Sequence, residues 1–187
     1  SMGVDPYTLM DKEAEQSPIG CNRLLYLPYL MGERTPHLDP DCRGAFFGLS
    51  AMHTRRDLLR AVMEGVTYSL RDCVEILRGM GVEFGEMLAC GGGGSSPLWR
   101  QMLADTFQCP VKTVKSKEGP ALGAAILAGV GAGLYPSVQQ ACDAMIQPNP
   151  PQGPIPGNVP QYEAYYQLYR SLSPAMKGSF QNLAKLG

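Results

Sequence analysis

The chain has 187 residues, which is long enough to bury a hydrophobic core in a single domain. Its 16 Lys and Arg residues nearly balance 17 Asp and Glu residues, which argues against a nucleic-acid or acidic membrane partner. Six cysteines without a Cys-x-x-Cys pair, only two histidines, and neither a secretory signal nor a membrane-length apolar run predict a cytoplasmic protein without a zinc site.

The first half of the chain predicts a polar lead-in, two strands and a long helix. Residues 1–23 are polar, and the Ser1-Met2 start is typical of an expression vector. Short apolar runs at 24–27 and 44–49 predict strands. Thr54 and Asp57 have the spacing of a helix start. The helix that follows carries one apolar face at steps of three and four residues: Leu58, Val62, Val66, Leu70, Val74 and Leu77.

A glycine loop follows the next apolar run, residues 87–90. Four glycines lead to Ser96, which stands at a helix N-cap, and Pro97, which stands at the first helical position. A strand, a glycine loop and a capped helix can receive a nucleotide, because glycine lets a ligand approach the backbone. Similar turns also occur without a ligand, so the glycines alone leave both interpretations open. No Gly-Lys-Ser/Thr follows, and the third glycine of a dinucleotide fingerprint would fall at Ser96.

The last third predicts a strand at 111–114, a helix of small residues that opens at Glu118, and a short helix at 137–145. We expect the small residues to pack that helix closely against a neighbour. Six prolines fall between residues 147 and 160, which predicts an extended surface strap. Residues 161–187 predict a helical tail that Pro174 kinks or divides. Alternation of strands and helices predicts an α/β fold, and the few strands before Leu24 suggest part of a larger protein.

Four ordered motifs resemble the FGGY carbohydrate kinases, and the first of them resembles the xylulokinase branch. They are Leu27 to Pro36 (LPYLMGERTP), Arg43 to Leu49 followed by Leu59 to Gly65, Gly91 to Asp105 (GGGGSSPLWRQMLAD), and Glu118 to Ala125 (EGPALGAA). They lie in one collinear order between Leu24 and Gly133. The resemblance implies an actin-like ATPase, ribonuclease-H-like α/β domain with a mixed sheet flanked by helices, over residues 24–146.

The family transfers the γ-phosphoryl group of ATP to a sugar hydroxyl with Mg²⁺, and its C-terminal domain holds the adenosine. By position, Gly92 and Gly93 match glycines that approach the nucleotide. Ser96 matches a small polar residue near the adenine, and Gly91 supports the turn. The resemblance implies that the metal is held mainly by the nucleotide and by a partner domain, the N-terminal kinase domain, which this chain lacks.

That missing domain carries the catalytic aspartate of the family, so we assign no catalytic residue here and expect the chain alone to be inactive. The aspartates of this chain fall in segments that are non-catalytic in the family: Asp39, Asp41, Asp57, Asp72 and Asp105. We expect Asp57 at a helix start, and Asp72 and Asp105 on a helix surface or in packing.

Other polar residues have both a functional and a structural interpretation. Glu33 and Arg34 face a domain cleft in the functional one and fix their own loop in the structural one, which we favour. We expect Glu64 to make a packing or cap contact. Trp99 packs near the adenine or, as we expect for an apolar helix position, in the core.

Three hypotheses follow. The first is the C-terminal ATP-binding domain of a kinase for a ketopentose, most simply D-xylulose. The second is the same domain from a kinase for ribulose, gluconate or glycerol. The third is a non-catalytic actin-like module that binds nucleotide. An exposed cleft face also suggests a homodimer.

Overall fold

The computed structural model describes Gly3, residues 5–115 and residues 119–186. Its helices are Pro6–Ala14 (α1), Arg55–Gly79 (α2), Pro97–Phe107 (α3), Gly119–Gly131 (α4), Val138–Met145 (α5) and Val159–Ala184 (α6). Its strands are Leu25–Leu27 (β1), Ala45–Phe47 (β2), Met87–Leu88 (β3) and Val111–Lys112 (β4). The predicted α/β class is confirmed. In the described residues the strands form two separate pairs, antiparallel β1–β2 and parallel β3–β4.

Helix α2 connects the two strand pairs. It packs on β1, and it packs on α3, which in turn contacts β4. It begins as predicted, because Thr54 and Asp57 form a capping box at its first turn. Its buried face packs on β1 and on α3. Gly65 lies directly against β1, where an added Cβ would stand 2.2 Å from the carbonyl oxygen of Tyr26. Glycine at this position therefore lets the helix and the strand approach each other closely.

The main core is rich in tyrosine and is formed largely by the C-terminal helix. Helix α6 runs unbroken through Pro174, so the predicted tail is one helix. Its inner face supplies three fully buried rings, those of Tyr162, Tyr166 and Tyr169, all close to Tyr68 of α2. Such aromatic pairs stabilise a core beyond the area that they bury.

The proline-rich strap, residues 147–160, lies along β4 as an added extended segment. Val111 N–H donates to Gln152 O at 2.9 Å, and Gln152 N–H donates back at 2.8 Å. The strap's donor in this pair is Gln152, which is not a proline, so the prolines remove no donor from these two bonds. Asp105 of α3 is 1% exposed and accepts from Ile155 N–H at 2.6 Å, which fixes the far end of the strap.

Helix α4 differs from the tight packing that its small residues predict. Only Ile126 and Gly129 are buried, and an added Cβ at Gly123 would meet no atom within 4 Å. Glu118, its predicted first residue, lies outside the described residues. None of the helices that the structure describes is both long and apolar enough to cross a bilayer.

Candidate functional site

The glycine loop forms a sharp corner between β3 and α3. Gly91 has φ +81°, in the left-handed region that favours glycine. A short 3₁₀ turn follows over Gly92–Ser95. Gly94 N–H donates to Gly91 O at 3.2 Å, which closes the corner. The backbone of the loop is therefore accessible at Gly91 and Gly92, where no atom lies within 4 Å of an added Cβ.

A cleft of about 390 Å³ opens beside this corner, and we refer to it as the glycine cleft. The loop lines it with residues 89–92, Gly94 and Ser95, and Arg100 of α3 adds to this part of the lining. The rest of the described lining is residues 113–115, Gly119 and Asn149 of the strap. The volume lies in the range of small-molecule sites in proteins. Among the described lining residues the charges are Arg100 and Lys115, so the site attracts anions.

The structure brings two of the four predicted nucleotide residues to the glycine cleft. Gly91 and Gly92 line it, and an added Cβ at either would meet nothing within 4 Å. Gly93 instead faces the Trp99 ring, where an added Cβ would stand 2.7 Å from Cζ3. Ser96 is buried, and its Oγ accepts from Trp99 N–H at 3.1 Å as the predicted N-cap of α3.

The Trp99 side chain is half-buried. Its indole N–H donates to Thr67 Oγ1 at 2.9 Å, and its ring packs against both main core clusters. The indole therefore holds α3 against α2 and supports the glycine loop from behind through Gly93. This position agrees with the core interpretation of Trp99.

Sequence analysis did not identify the polar residues that line the glycine cleft. Arg100 donates from Nη1 to Gly94 O at 2.7 Å, which holds its guanidinium on the loop. Lys115 and Asn149 come from segments distant in sequence. The local signal for Arg100 was a charged residue in the first turn of the helix that follows the glycine loop. The strap gave no signal, because nothing local predicts its pairing with β4.

The acidic residues considered as candidates make structural contacts. Asp57 is 3% exposed and starts α2, as predicted. Burial opposes its ionisation, but hydrogen bonds from Thr54, Ser17 and Asn22 together lower the pKa of Asp57 to about 2. Asp72 accepts from Tyr166 OH at 2.8 Å, and burial raises the pKa of Asp72. These carboxylates therefore hold elements together away from the glycine cleft.

Glu33 and Glu64 also hold backbone. Glu33 Oε1 accepts from the backbone N–H groups of Arg34 and Thr35 at 2.7 and 3.0 Å, which supports the loop-fixing interpretation. Glu64 is 1% exposed and accepts from Arg60 Nε at 2.7 Å and from Gly20 N–H at 3.0 Å. The predicted packing role of Glu64 is confirmed.

The described residues do not fit a protein-held metal ion at the glycine cleft. No described lining residue carries a carboxylate, and the described residues contain no cluster of three His, Cys, Asp or Glu side chains that would hold a metal. Magnesium requires oxygen ligands, usually carboxylates and phosphates. The donors for a cation here would come from a bound phosphate group.

An α/β domain whose cleft is lined by a glycine loop and two cationic side chains has the features expected of a domain that takes an anionic ligand. The chain belongs to the FGGY family of carbohydrate kinases: residues 4–132 match the family's C-terminal domain. The resemblance noted from the motifs is thereby confirmed.

Individual relatives agree with this membership. The chain is 44% identical over 159 residues to the xylulose kinase of Staphylococcus epidermidis, covering 85% of this chain and 32% of that protein. It is 35% identical over 184 residues to the gluconokinase of Bacillus licheniformis, covering 98% of this chain and 36% of that protein. The crystal structure of ligand-bound xylulose kinase from Lactobacillus acidophilus superposes with a TM-score of 0.85 at 30% identity, over 93% of this chain and 35% of that one. The chain thus spans about a third of the length of these relatives.

Proposed function

We propose that this chain is the ATP-binding C-terminal domain of a carbohydrate kinase. The observation that supports this most is the glycine cleft, whose backbone wall is free of side chains at Gly91 and Gly92. Arg100 and Lys115 supply positive charge to the lining of the same cleft. A polyphosphate ligand suits both features, since glycine backbone permits close approach and cations neutralise phosphate.

We propose D-xylulose as the sugar that the complete enzyme phosphorylates. The relatives of highest identity mentioned above are called xylulose kinase, and the Gly32 to Pro36 segment resembles that branch. Gluconate remains the alternative, because a gluconokinase matches the chain over 98% of its length. Both kinds of kinase match this chain over most of its length, so we expect most of the residues that select the sugar to lie outside it.

The residues of this chain bind and orient the nucleotide in this proposal and do not perform chemistry. Phosphoryl transfer needs a group that accepts the hydroxyl proton and ligands that neutralise the transferred phosphate. The carboxylates described above are engaged in structural contacts, and Mg²⁺, which balances phosphate charge when bound, would be held by the nucleotide and the N-terminal domain. Positioning several groups at once is the larger part of this catalysis, so the chain alone would be inactive.

Calorimetric titration of the 187-residue chain with ADP tests the nucleotide site. Gly92→Val places a side chain in the glycine cleft and is expected to weaken ADP binding at least tenfold while the circular dichroism spectrum stays unchanged. Gly85→Val is the matched control, because Gly85 is exposed and an added Cβ there meets no atom within 4 Å. Equal ADP affinities of the two variants would refute the site.

A coupled assay with ATP and D-xylulose tests the incompetence of the isolated chain. No turnover above background is expected. Addition of a separately produced N-terminal domain, or use of the full-length enzyme, is expected to restore it, and a panel of xylulose, ribulose, gluconate and glycerol would identify the sugar. Ordinary enzyme rates from the chain alone would contradict the proposal.

A further inference from the structure

Arg100 stands in the first turn of α3, directly after the glycine loop. A cation is unfavourable near the N-terminus of a helix, because the helix dipole places positive charge there. The described lining of the glycine cleft holds no carboxylate that would balance the guanidinium. Helix stability alone therefore does not favour arginine at this position, and the interaction that the side chain makes with the loop offsets the cost.

That interaction is a hydrogen bond with an unambiguous direction. Helical side chains lean toward the N-terminus of their helix, so the half-buried Arg100 reaches back to the glycine loop. Its Nη1 donates to Gly94 O at 2.7 Å, and a guanidinium carries donors only. Because the donor is charged, this bond is stronger than one between two neutral groups.

Gly94 is held at both of its backbone polar groups. Its N–H donates to Gly91 O at 3.2 Å, and its carbonyl oxygen accepts from Arg100. The residue is also buried, and an added Cβ would stand 3.1 Å from Ala89 O. The corner itself thus fixes one side of Gly94, and α3 fixes the other through the guanidinium.

The loop needs such support because it contains four consecutive glycines. Glycine loses more backbone entropy on ordering than any other residue. Gly91 and Gly92 line the glycine cleft, and neither has a side chain that could restrain it. A loop that is ordered before the ligand arrives binds more tightly, since binding does not have to supply the cost of ordering. A restraint on Gly94 reaches Gly91 through the hydrogen bond between them.

We propose that Arg100 is a positioning residue, whose guanidinium holds the glycine loop in the conformation that receives the ligand. The role proposed for Arg100 rests on the proposed nucleotide function of the glycine cleft. The charge of the guanidinium attracts phosphate in addition, but the effect through the loop does not depend on phosphate. Binding of a nucleoside without phosphate therefore reports the positioning role by itself.

Calorimetry on the 187-residue chain compares ADP with adenosine, which is titrated as a competitor of ADP so that weak binding is measurable. Arg100→Met keeps an unbranched side chain and removes the guanidinium. It is expected to weaken adenosine binding at least about tenfold, the factor of one charge-assisted hydrogen bond, and ADP binding by no less. Arg56→Met removes the same charge from an exposed position on α2, outside the glycine cleft, and is expected to change neither affinity.

Hydrogen exchange in the chain without ligand examines the loop independently of any nucleotide. Arg100→Met is expected to speed exchange of the Gly94 N–H at least tenfold. The N–H groups of Leu103 and Ala104, in the middle of α3, are expected to keep their protection, which distinguishes a loosened loop from a destabilised fold.

The outcomes separate the role of Arg100 from the nucleotide function. If the unmodified chain binds neither ADP nor adenosine, the nucleotide function is refuted, and the role of Arg100 in binding is refuted with it. If the chain binds ADP but no adenosine, the loop is not positioned for a nucleoside, and only the role of Arg100 is overturned. The same holds if Arg100→Met leaves either the adenosine affinity or the exchange rate of the Gly94 N–H unchanged.

Discussion

At Gly65, helix α2 lies directly against β1, and this contact is possible because glycine has no Cβ atom. An added Cβ would stand 2.2 Å from Tyr26 O and 3.1 Å from the Tyr26 Cβ. The obstacle is backbone of a buried strand, which cannot move as the end of a flexible side chain can. Helix propensity alone would favour alanine over glycine here, so packing outweighs propensity at this residue.

Gly65→Ala is therefore expected to lower the free energy of unfolding by about 1–3 kcal/mol, as overpacking of a close-packed core does. Gly79→Ala is the matched control on the same helix, because an added Cβ there meets no atom within 4 Å. It is expected to be neutral or to stabilise by up to about 1 kcal/mol. Urea unfolding of both variants gives the comparison, and equal values would contradict the packing argument.

Asp57 makes the stability of the fold depend on pH in the acid range. Its folded pKa of about 2 lies below the usual 3.8, because Thr54, Ser17 and Asn22 hold the ionised form despite burial. The unfolded chain therefore binds the proton more readily. The stabilisation is complete above about pH 4 and is lost as the pH falls toward 2, with a magnitude of about 2 kcal/mol.

Asp57→Asn is expected to reduce stability at pH 7 by about that amount and to flatten the fall between pH 4 and 2. The amide nitrogen of asparagine would face a donor, since two of the four bonds come from Thr54 N–H and Thr54 Oγ1, both at 2.8 Å. Asp143→Asn, on the exposed surface of α5, is the control. An unchanged acid slope in the Asp57 variant, measured by urea unfolding at several pH values, would be inconsistent with this account.

Among the elements, the strap is anchored at its far end by one buried carboxylate. Asp105 accepts from Gln101 Nε2 at 2.7 Å, from Ile155 N–H at 2.6 Å and from Asn158 Nδ2 at 2.8 Å. These bonds join α3, the strap and the first turn of α6. The carboxylate thereby connects the helix that follows the glycine loop with the segment that carries Asn149.

Asp105→Ala is expected to destabilise the fold by roughly 2–3 kcal/mol, because it removes the three hydrogen bonds that this buried carboxylate accepts. The backbone amides of Asn149 and Gln152 are expected to exchange hydrogen at least tenfold faster, while the α2 amides change less. Hydrogen exchange followed by NMR measures both. Asp143→Ala is the control, and a loss of protection spread evenly over the fold would argue against a local role.

The sequence predicted elements whose causes are local and missed those whose causes are distant. Thr54 with Asp57 and Ser96 with Pro97 act within one helical turn, so their spacing was sufficient. The pairing of the strap with β4 joins residues about 40 positions apart. The sequence did not predict it, because prolines argue against strand pairing. Gly91 and Gly92 line the glycine cleft, but a 3₁₀ turn directs Gly93 toward Trp99. Local patterns do not reveal such a rotation.

At the scale of the whole molecule, the described residues leave an apolar groove open beside the glycine cleft. This groove of about 460 Å³ runs between α2 and β3, and Leu70, Leu77 and Leu88 on its walls are 45, 40 and 47% exposed. Contiguous apolar surface of this kind is covered in most stable proteins. The chain spans about a third of its relatives' length.

For the 187-residue chain in solution we predict that two copies associate through the apolar groove. Sedimentation velocity is expected to show a dimer fraction that grows with concentration and persists in high salt, because apolar contacts are not screened. Leu88→Glu is expected to shift the chain to monomer without unfolding it. Leu127→Glu, on α4 outside the groove and 64% exposed, is the matched control and is expected to dimerise as before. A monomer at every concentration, or a dimer insensitive to Leu88→Glu, would mean that the groove does not join two copies.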